Sequence, residues 1–253
     1  MKIEEYLASL PPSIISGEDV QISDDSVREV FKFVKLGKND VFYHLGCGSG
    51  NSLVIALEEF FVNKAVGIDK DDTKIAEAKK LTKEKNLQNA ELRCQDILDS
   101  DLSDATVILF WFSDTKTVEK MFERFSKLKP GTKIVTIFDP LPGILPEMVS
   151  FPYIVHQVPF RPARDLREQL VAIFETECID FTTAWEFAER YTKAVGAPDS
   201  GNDRFLTILQ TLMIWINARN LGLSCTQEIP APVKSYMEIL QNFFNIEVKH
   251  LLK

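Results

Sequence analysis

Residues 41–50 read Val-Phe-Tyr-His-Leu-Gly-Cys-Gly-Ser-Gly, and they are the stretch best suited to hold a ligand. Gly46, Gly48 and Gly50 follow a strand-like run and precede a helix-compatible one at 51–61. Such a turn keeps side chains clear of a ligand and predicts free backbone N–H groups, with the positive end of a helix, aimed at it. The spacing is not the dinucleotide fingerprint G-x-G-x-x-G, whose third glycine or alanine belongs at 51, where Asn51 stands. A second strand-like run, Lys64 to Lys70, carries Asp69 nineteen positions beyond Gly50. A carboxylate at that offset of ~20 residues sits at the second strand's tip and can accept hydrogen bonds from both hydroxyls of a ribose. Asp96 follows a third such run. Phe110, Trp111 and Phe112 close a fourth, whose unbroken apolar and β-branched content from Thr106 predicts a strand buried on both faces.

The elements that must position these groups alternate. Strands are predicted at 41–45, 64–68, 90–94, 105–111 and 132–138, with helices at 26–34, 51–61, 71–86 and 114–127. Strands separated by helical patterns imply an α/β fold, a Rossmann-like doubly wound, mainly parallel sheet. Ligands then bind outside the carboxyl ends of the strands, where all the groups above fall. Residues 148–160 have cramped room for an antiparallel hairpin. Four helices are predicted beyond Arg161-Pro162, at 163–175, 181–195, 203–221 and 231–245. The expected organisation is an N-terminal helix and proline loop at 1–24, a ligand-binding domain at 25–150 and an all-helical C-terminal domain at 160–253, serving as lid, docking platform or dimer interface.

Composition excludes several classes. A chain of 253 residues with 45% hydrophobic content can bury a substantial core and a smaller satellite. No apolar run reaches the ~18 residues of a membrane span, and acids in Met-Lys-Ile-Glu-Glu argue against a signal peptide. The net charge of −8, with no basic stripe, argues against nucleic acid as a partner. The four cysteines, Cys47, Cys94, Cys178 and Cys225, show no C-x-x-C and read as reduced packing residues of a cytoplasmic protein. His44, His156 and His250 lack metal-ligand spacing, so no metal is expected.

The G-x-G-x-G of Gly46–Gly50, followed by Asp69, resembles motif I and the ribose-binding acid of class I S-adenosylmethionine-dependent methyltransferases. Tyr43-His-Leu-Gly-Cys-Gly-Ser-Gly-Asn51, Val66-Gly-Ile-Asp69, the run Phe110 to Phe125 and Leu128-Lys-Pro-Gly-Thr-Lys-Ile-Val135 resemble more narrowly two related groups. These are the non-SET nucleosomal histone lysine methyltransferases and the small archaeal protein-lysine methyltransferases, and the similarity covers about residues 22–140. The resemblance implies S-adenosyl-L-methionine as cofactor, bound by His44, Gly46, Cys47, Gly48, Gly50, Asn51, Asp69, Lys70, Asp96 and Ile97. Gly46–Gly50 would pass closest to its methionine and ribose, Asp69 would take the ribose hydroxyls and Asp96 the adenine edge.

Methyl transfer to an amine is an in-line displacement that needs proximity and a neutral nitrogen rather than elaborate acid–base machinery. Aromatic walls exclude water and attract a methyl-bearing cation, so Phe110, Trp111 and Phe112 are expected to line a substrate channel, with at least one of them in the core because a strand alternates its faces. No general base is identified. The departure from the family is His44, which stands where motif I begins with an acid. It either hydrogen-bonds the cofactor carboxylate or marks weakened binding. The sequence thus predicts a methyltransferase acting on protein lysines. The alternatives are a small-molecule methyltransferase with a helical lid, or a non-catalytic scaffold that has kept the fold. A homo-oligomer through the helical domain is a further expectation.

Overall fold

The structure, a computed structural model, describes residues 1–3, 5, 22–112, 114–195 and 203–252; the proline loop expected within 1–24 lies outside them. The chain divides into two units, Ser23–Gln169 and the pair of segments Met1–Ile22 and Leu170–Lys253.

In the first unit, helices α1 (Asp24–Phe33), α2 (Asn51–Glu58), α3 (Asp72–Glu84) and α4 (Thr115–Phe125) alternate with strands β1 (Val41–Leu45), β2 (Lys64–Asp69), β3 (Ala90–Cys94), β4 (Val107–Phe110) and β5 (Lys133–Ile137). Four short strands follow: β6 (Ile144–Leu145), β7 (Met148–Ser150), β8 (Tyr153–Gln157) and β9 (Arg161–Pro162). The main sheet runs β3-β2-β1-β4-β5-β8-β7. Its first five strands are parallel, and β8 enters antiparallel beside β5. The α/β doubly wound architecture is therefore the one expected. The hairpin fits because β7 needs only three residues before the chain turns back at Phe151-Pro152. The sheet thus continues to Gln157, beyond the expected limit at 150.

Local chemistry explains the helix starts. Ser23 accepts a hydrogen bond from the Ser26 amide, Asp71 from Thr73 and Lys74, and Asp114 from Thr117, each satisfying N–H groups that the first turn leaves over. Val27, Val30 and Phe31 of α1 are buried, each stabilising by roughly 1.5–3 kcal/mol. On one sheet face Tyr43, Leu45, Ile68, Ile108 and Phe110 pack with Met121 and Phe125 of α4. Leu45 lies opposite Ile68 on one side and Phe110 on the other, so three strands end level where the glycine turn begins.

The second unit is helical, as predicted: α6 (Phe181–Val195), α7 (Asp203–Asn220) and α8 (Ala231–Phe244), with α5 (Leu166–Phe174) leading into it from the first. Trp215, Ala188 and Leu240 are fully buried here, whereas Phe243 at the end of α8 is 79% exposed. Lys2 forms a bridge to Glu247, so the start of the chain belongs to this unit. Two cysteines correct the sequence reading: Cys178 and Cys225 form a disulfide, with Cα atoms 4.9 Å apart. They are brought together by the pairing of Ile179 with Ser224, which links the segments before α6 and after α7. Cys47 is free and buried as expected, while Cys94 is free but exposed at the end of β3. No described helix is long and apolar enough to cross a membrane.

Candidate active site

The glycine turn has the expected place and an unexpected economy. Gly46, Gly48 and Gly50 have φ of +78°, +53° and +83°, a region that costs other residues steric strain. A Cβ on Gly50 would lie 2.8 Å from the Ala78 Cβ of α3, and one on Gly46 would lie 3.1 Å from the Phe112 ring. Several of the N–H groups expected to be free are engaged within the protein. Gly46 and Cys47 both donate to the Ile68 carbonyl, at 2.8 and 3.0 Å, and Gly50 donates to Cys47 at 3.0 Å. The turn curls back onto the tip of β2, so the Gly46, Cys47 and Gly50 amides are engaged before any ligand arrives. Following the turn, α2 has no side-chain cap and no acid in its first turn, which leaves its positive end open. Asn51 is the first residue of α2, and its amide points to Asp24 at 3.5 Å.

Asp69 ends β2, with one oxygen accepting from Gly48 N at 2.9 Å and the other from Asp71 N at 3.0 Å. A carboxylate has about four lone-pair sites, so each oxygen keeps one for a further donor. The carboxylate clamps the glycine turn to the start of α3 and still faces outward. Lys70 beside it is exposed. Asp96 lies just beyond β3 and is exposed, with Oδ1 receiving Leu98 N at 2.8 Å, while Ile97 is buried. The two acids therefore stand at the tips of adjacent strands.

His44 is hydrogen-bonded to α2. Its Nδ1 is 2.6 Å from Ser52 Oγ of α2. Burial pushes its pKa down to about 4, against an opposing pull from the Asp69 charge. His44 is therefore neutral at physiological pH and supplies no charge where motif I has an acid. Cys47, which is buried, has its thiol pushed up to about 12, chiefly by desolvation, so it is no nucleophile.

The three aromatics divide between core and cavity wall, but not by strand alternation, because β4 ends at Phe110 and the chain leaves the sheet at Trp111. Phe110 is core, 2% exposed, edge-on to Phe125 and stacked on Phe112 with centroids 4.9 Å apart. Trp111 and Phe112 are half-buried and wall a cavity of about 250 Å³ beyond the ends of β4 and β5. Thr136, Asp139, Pro140 and Pro142 complete its other side. The register that pairs Leu109 with Val135 puts Phe110 and Thr136 next in line, on one face.

A family model described as a methyltransferase domain matches residues 36–136. A protein-lysine N-methyltransferase of Saccharolobus islandicus is 34% identical over 112 residues, which are 44% of this chain and 69% of that protein. The chain belongs to the class I S-adenosylmethionine-dependent methyltransferases. A solved RNA methyltransferase from Salinibacter ruber, in complex with S-adenosyl-L-homocysteine, shares the fold of this methyltransferase. The TM-score is 0.53 at 24% identity, over 58% of this chain and 99% of that one.

The residues present fit the methyl donor. The turn is bare of side chains at its three left-handed glycines, and Asp69 keeps two lone-pair sites, as many as the two hydroxyls of a ribose would need. Asp96 offers its second oxygen to an amino group. Sequence reasoning missed Thr136 and Asp139 of this methyltransferase. Asp139-Pro140 reads as a loop, and only the placement of β5 beside β4 brings it opposite Trp111 and Phe112.

Proposed function

We propose that this methyltransferase transfers its methyl group to lysine side chains of proteins. The observation that carries the reading is the aromatic cavity at the ends of β4 and β5, which adjoins the glycine turn because Phe112 lies beside Gly46. At about 250 Å³ it falls below the ~300–1,000 Å³ of pockets that enclose whole small molecules, and it suits one extended side chain. The protein-lysine methyltransferase relative supports the same acceptor.

S-adenosylmethionine supplies an electrophilic methyl group. The protein's residues hold and shield: Asp69 and Asp96 fix the nucleoside end, and the bare glycine turn allows close approach. Trp111 and Phe112 exclude water from the acceptor, which favours the uncharged amine that reacts. His44, neutral and bonded to Ser52, keeps α2 against β1 rather than charging the site.

The test has two stages. Isothermal titration with S-adenosylmethionine and S-adenosylhomocysteine, with Asp69→Ala as control, is expected to show micromolar binding that the substitution abolishes. Incubation with lysine-rich proteins and mass spectrometry of the products is then expected to place methyl groups on lysine Nζ. Donor binding with methyl found only on small molecules would refute the lysine acceptor. No donor binding at all would point to the scaffold.

A further inference from the structure

The acceptor cavity contains two polar groups that the fold itself does not use. Thr136 is 4% exposed, and its hydroxyl is buried without a hydrogen-bond partner among the described residues. A buried hydroxyl left so costs roughly 1–3 kcal/mol. Asp139 stands at the open rim opposite Trp111 and Phe112. Its neighbouring apolar surfaces push its carboxyl above the usual range.

The backbone presenting Asp139 is constrained. Asp139 N donates to Ile137 O at 2.9 Å, closing a γ-turn centred on Phe138, whose φ is +69°. The positive-φ γ-turn is rare and strained, and such strain persists where surrounding contacts over-determine it. Here Phe138 N donates to Pro152 O at 2.7 Å, and the Phe138 ring lies edge-on to Phe151 at 5.7 Å. The hairpin therefore holds the turn that sets Asp139 on the cavity rim.

We propose that Asp139 makes the cavity selective for a cationic amine: its carboxylate pairs with the incoming ammonium, while Trp111 and Phe112 sheathe the alkyl chain. This rests on the acceptor reading above and names the group that enforces it. Charge recruits the amine, and aromatic faces add cation–π attraction. Before reaction the ammonium sheds one proton to water at the open rim. The lone pair so freed forms the N–C bond as the donor's C–S bond breaks, and the second N–H proton leaves afterwards by the same exit.

Probe binding tests this independently of turnover. n-Butylamine and 1-butanol are titrated at neutral pH into protein saturated with S-adenosylhomocysteine, followed by the Trp111 indole N–H resonance, assigned with Trp111→Phe. The wild type is expected to bind the amine on the order of tenfold more tightly than the alcohol. Asp139→Asn should bring the two within twofold and Asp139→Glu should keep the preference, with S-adenosylhomocysteine affinity unchanged in both as evidence of intact folding. Equal binding of the probes by the wild type, or an amine preference surviving in Asp139→Asn, would overturn the inference. If the amine preference holds and lysine peptides stay unmodified, the protein-lysine reading fails alone; if lysines are methylated without the preference, only the role of Asp139 fails.

Discussion

Lowering the pH from 7.5 to 5.0 should remove one identifiable contribution to stability, that of a desolvated, neutral His44. Its pKa is held at about 4 by desolvation, against 6.5 in the unfolded chain. Between those values the unfolded state binds more protons, so stability rises with pH and is lost as pH falls through 6.5 toward 4. The linkage relation gives a contribution near zero at pH 7.5 and a loss of about 2 kcal/mol at pH 5.0. His156, fully buried with its pKa also lowered to about 4, should lose a similar amount independently. The assay is urea unfolding of the wild type and His44→Asn at both pH values. The raised Asp139 carboxyl titrates alike in both proteins, so the difference between wild type and His44→Asn isolates His44. Asn removes the titrating group and can keep the partner of Ser52. The wild type should lose about 4 kcal/mol from the two histidines, and His44→Asn about 2. If His44→Asn loses as much as the wild type, His44 is not held neutral by desolvation, and the explanation of the altered motif I is wrong.

Three further outcomes follow from the packing. Gly50→Ala puts a methyl carbon 2.8 Å from the Ala78 Cβ at φ +83° and should cost at least ~1–3 kcal/mol in chemical denaturation, whereas Gly37→Ala, with open space around it, should be near neutral. Phe110→Ala should destabilise by about 3–5 kcal/mol, while Trp111→Ala should leave Tm almost unchanged and lower methyl transfer, separating core from cavity wall. Cys178→Ala should cost about 2–4 kcal/mol by freeing the 47-residue separation it closes with Cys225; in the denatured wild type, thiol titration should count two reactive cysteines without reductant and four with it.

The α/β frame was legible because its signals are local. β1 and β3 span the residues expected, since short apolar runs bounded by turn residues leave little freedom in placing a strand between helices. The positions of Asp69 and Asp96 at strand ends were legible for the same reason. What escaped reading depends on contacts between distant segments. Glycine spacing shows that the turn is bare but not that Gly46 and Cys47 donate back to Ile68. Cys178 and Cys225 look unrelated until Ile179 pairs with Ser224. His44 stands out as unusual, but nothing in the sequence pairs it with Ser52, eight residues on in α2. Asp139 has no local signature at all; its neighbours across the cavity come from the preceding strand.

The way the glycine turn is tied down has a kinetic side. Ile68 O takes two of its amides and Asp69 a third, so turn and strand tip form one bracket already closed in the ligand-free protein. The ordering cost, ~1–2 kcal/mol per residue, is met during folding and not at the encounter with a ligand. Amide deuterium exchange at Gly46, Cys47 and Gly48 should then be slow without ligand, and donor association should proceed in a single fast phase with no loop-closing step. The same bracket makes affinity a reporter of the strand. A substitution anywhere that frays the end of β2 releases all three amides together, and weakened donor binding would register it before the protein as a whole unfolds.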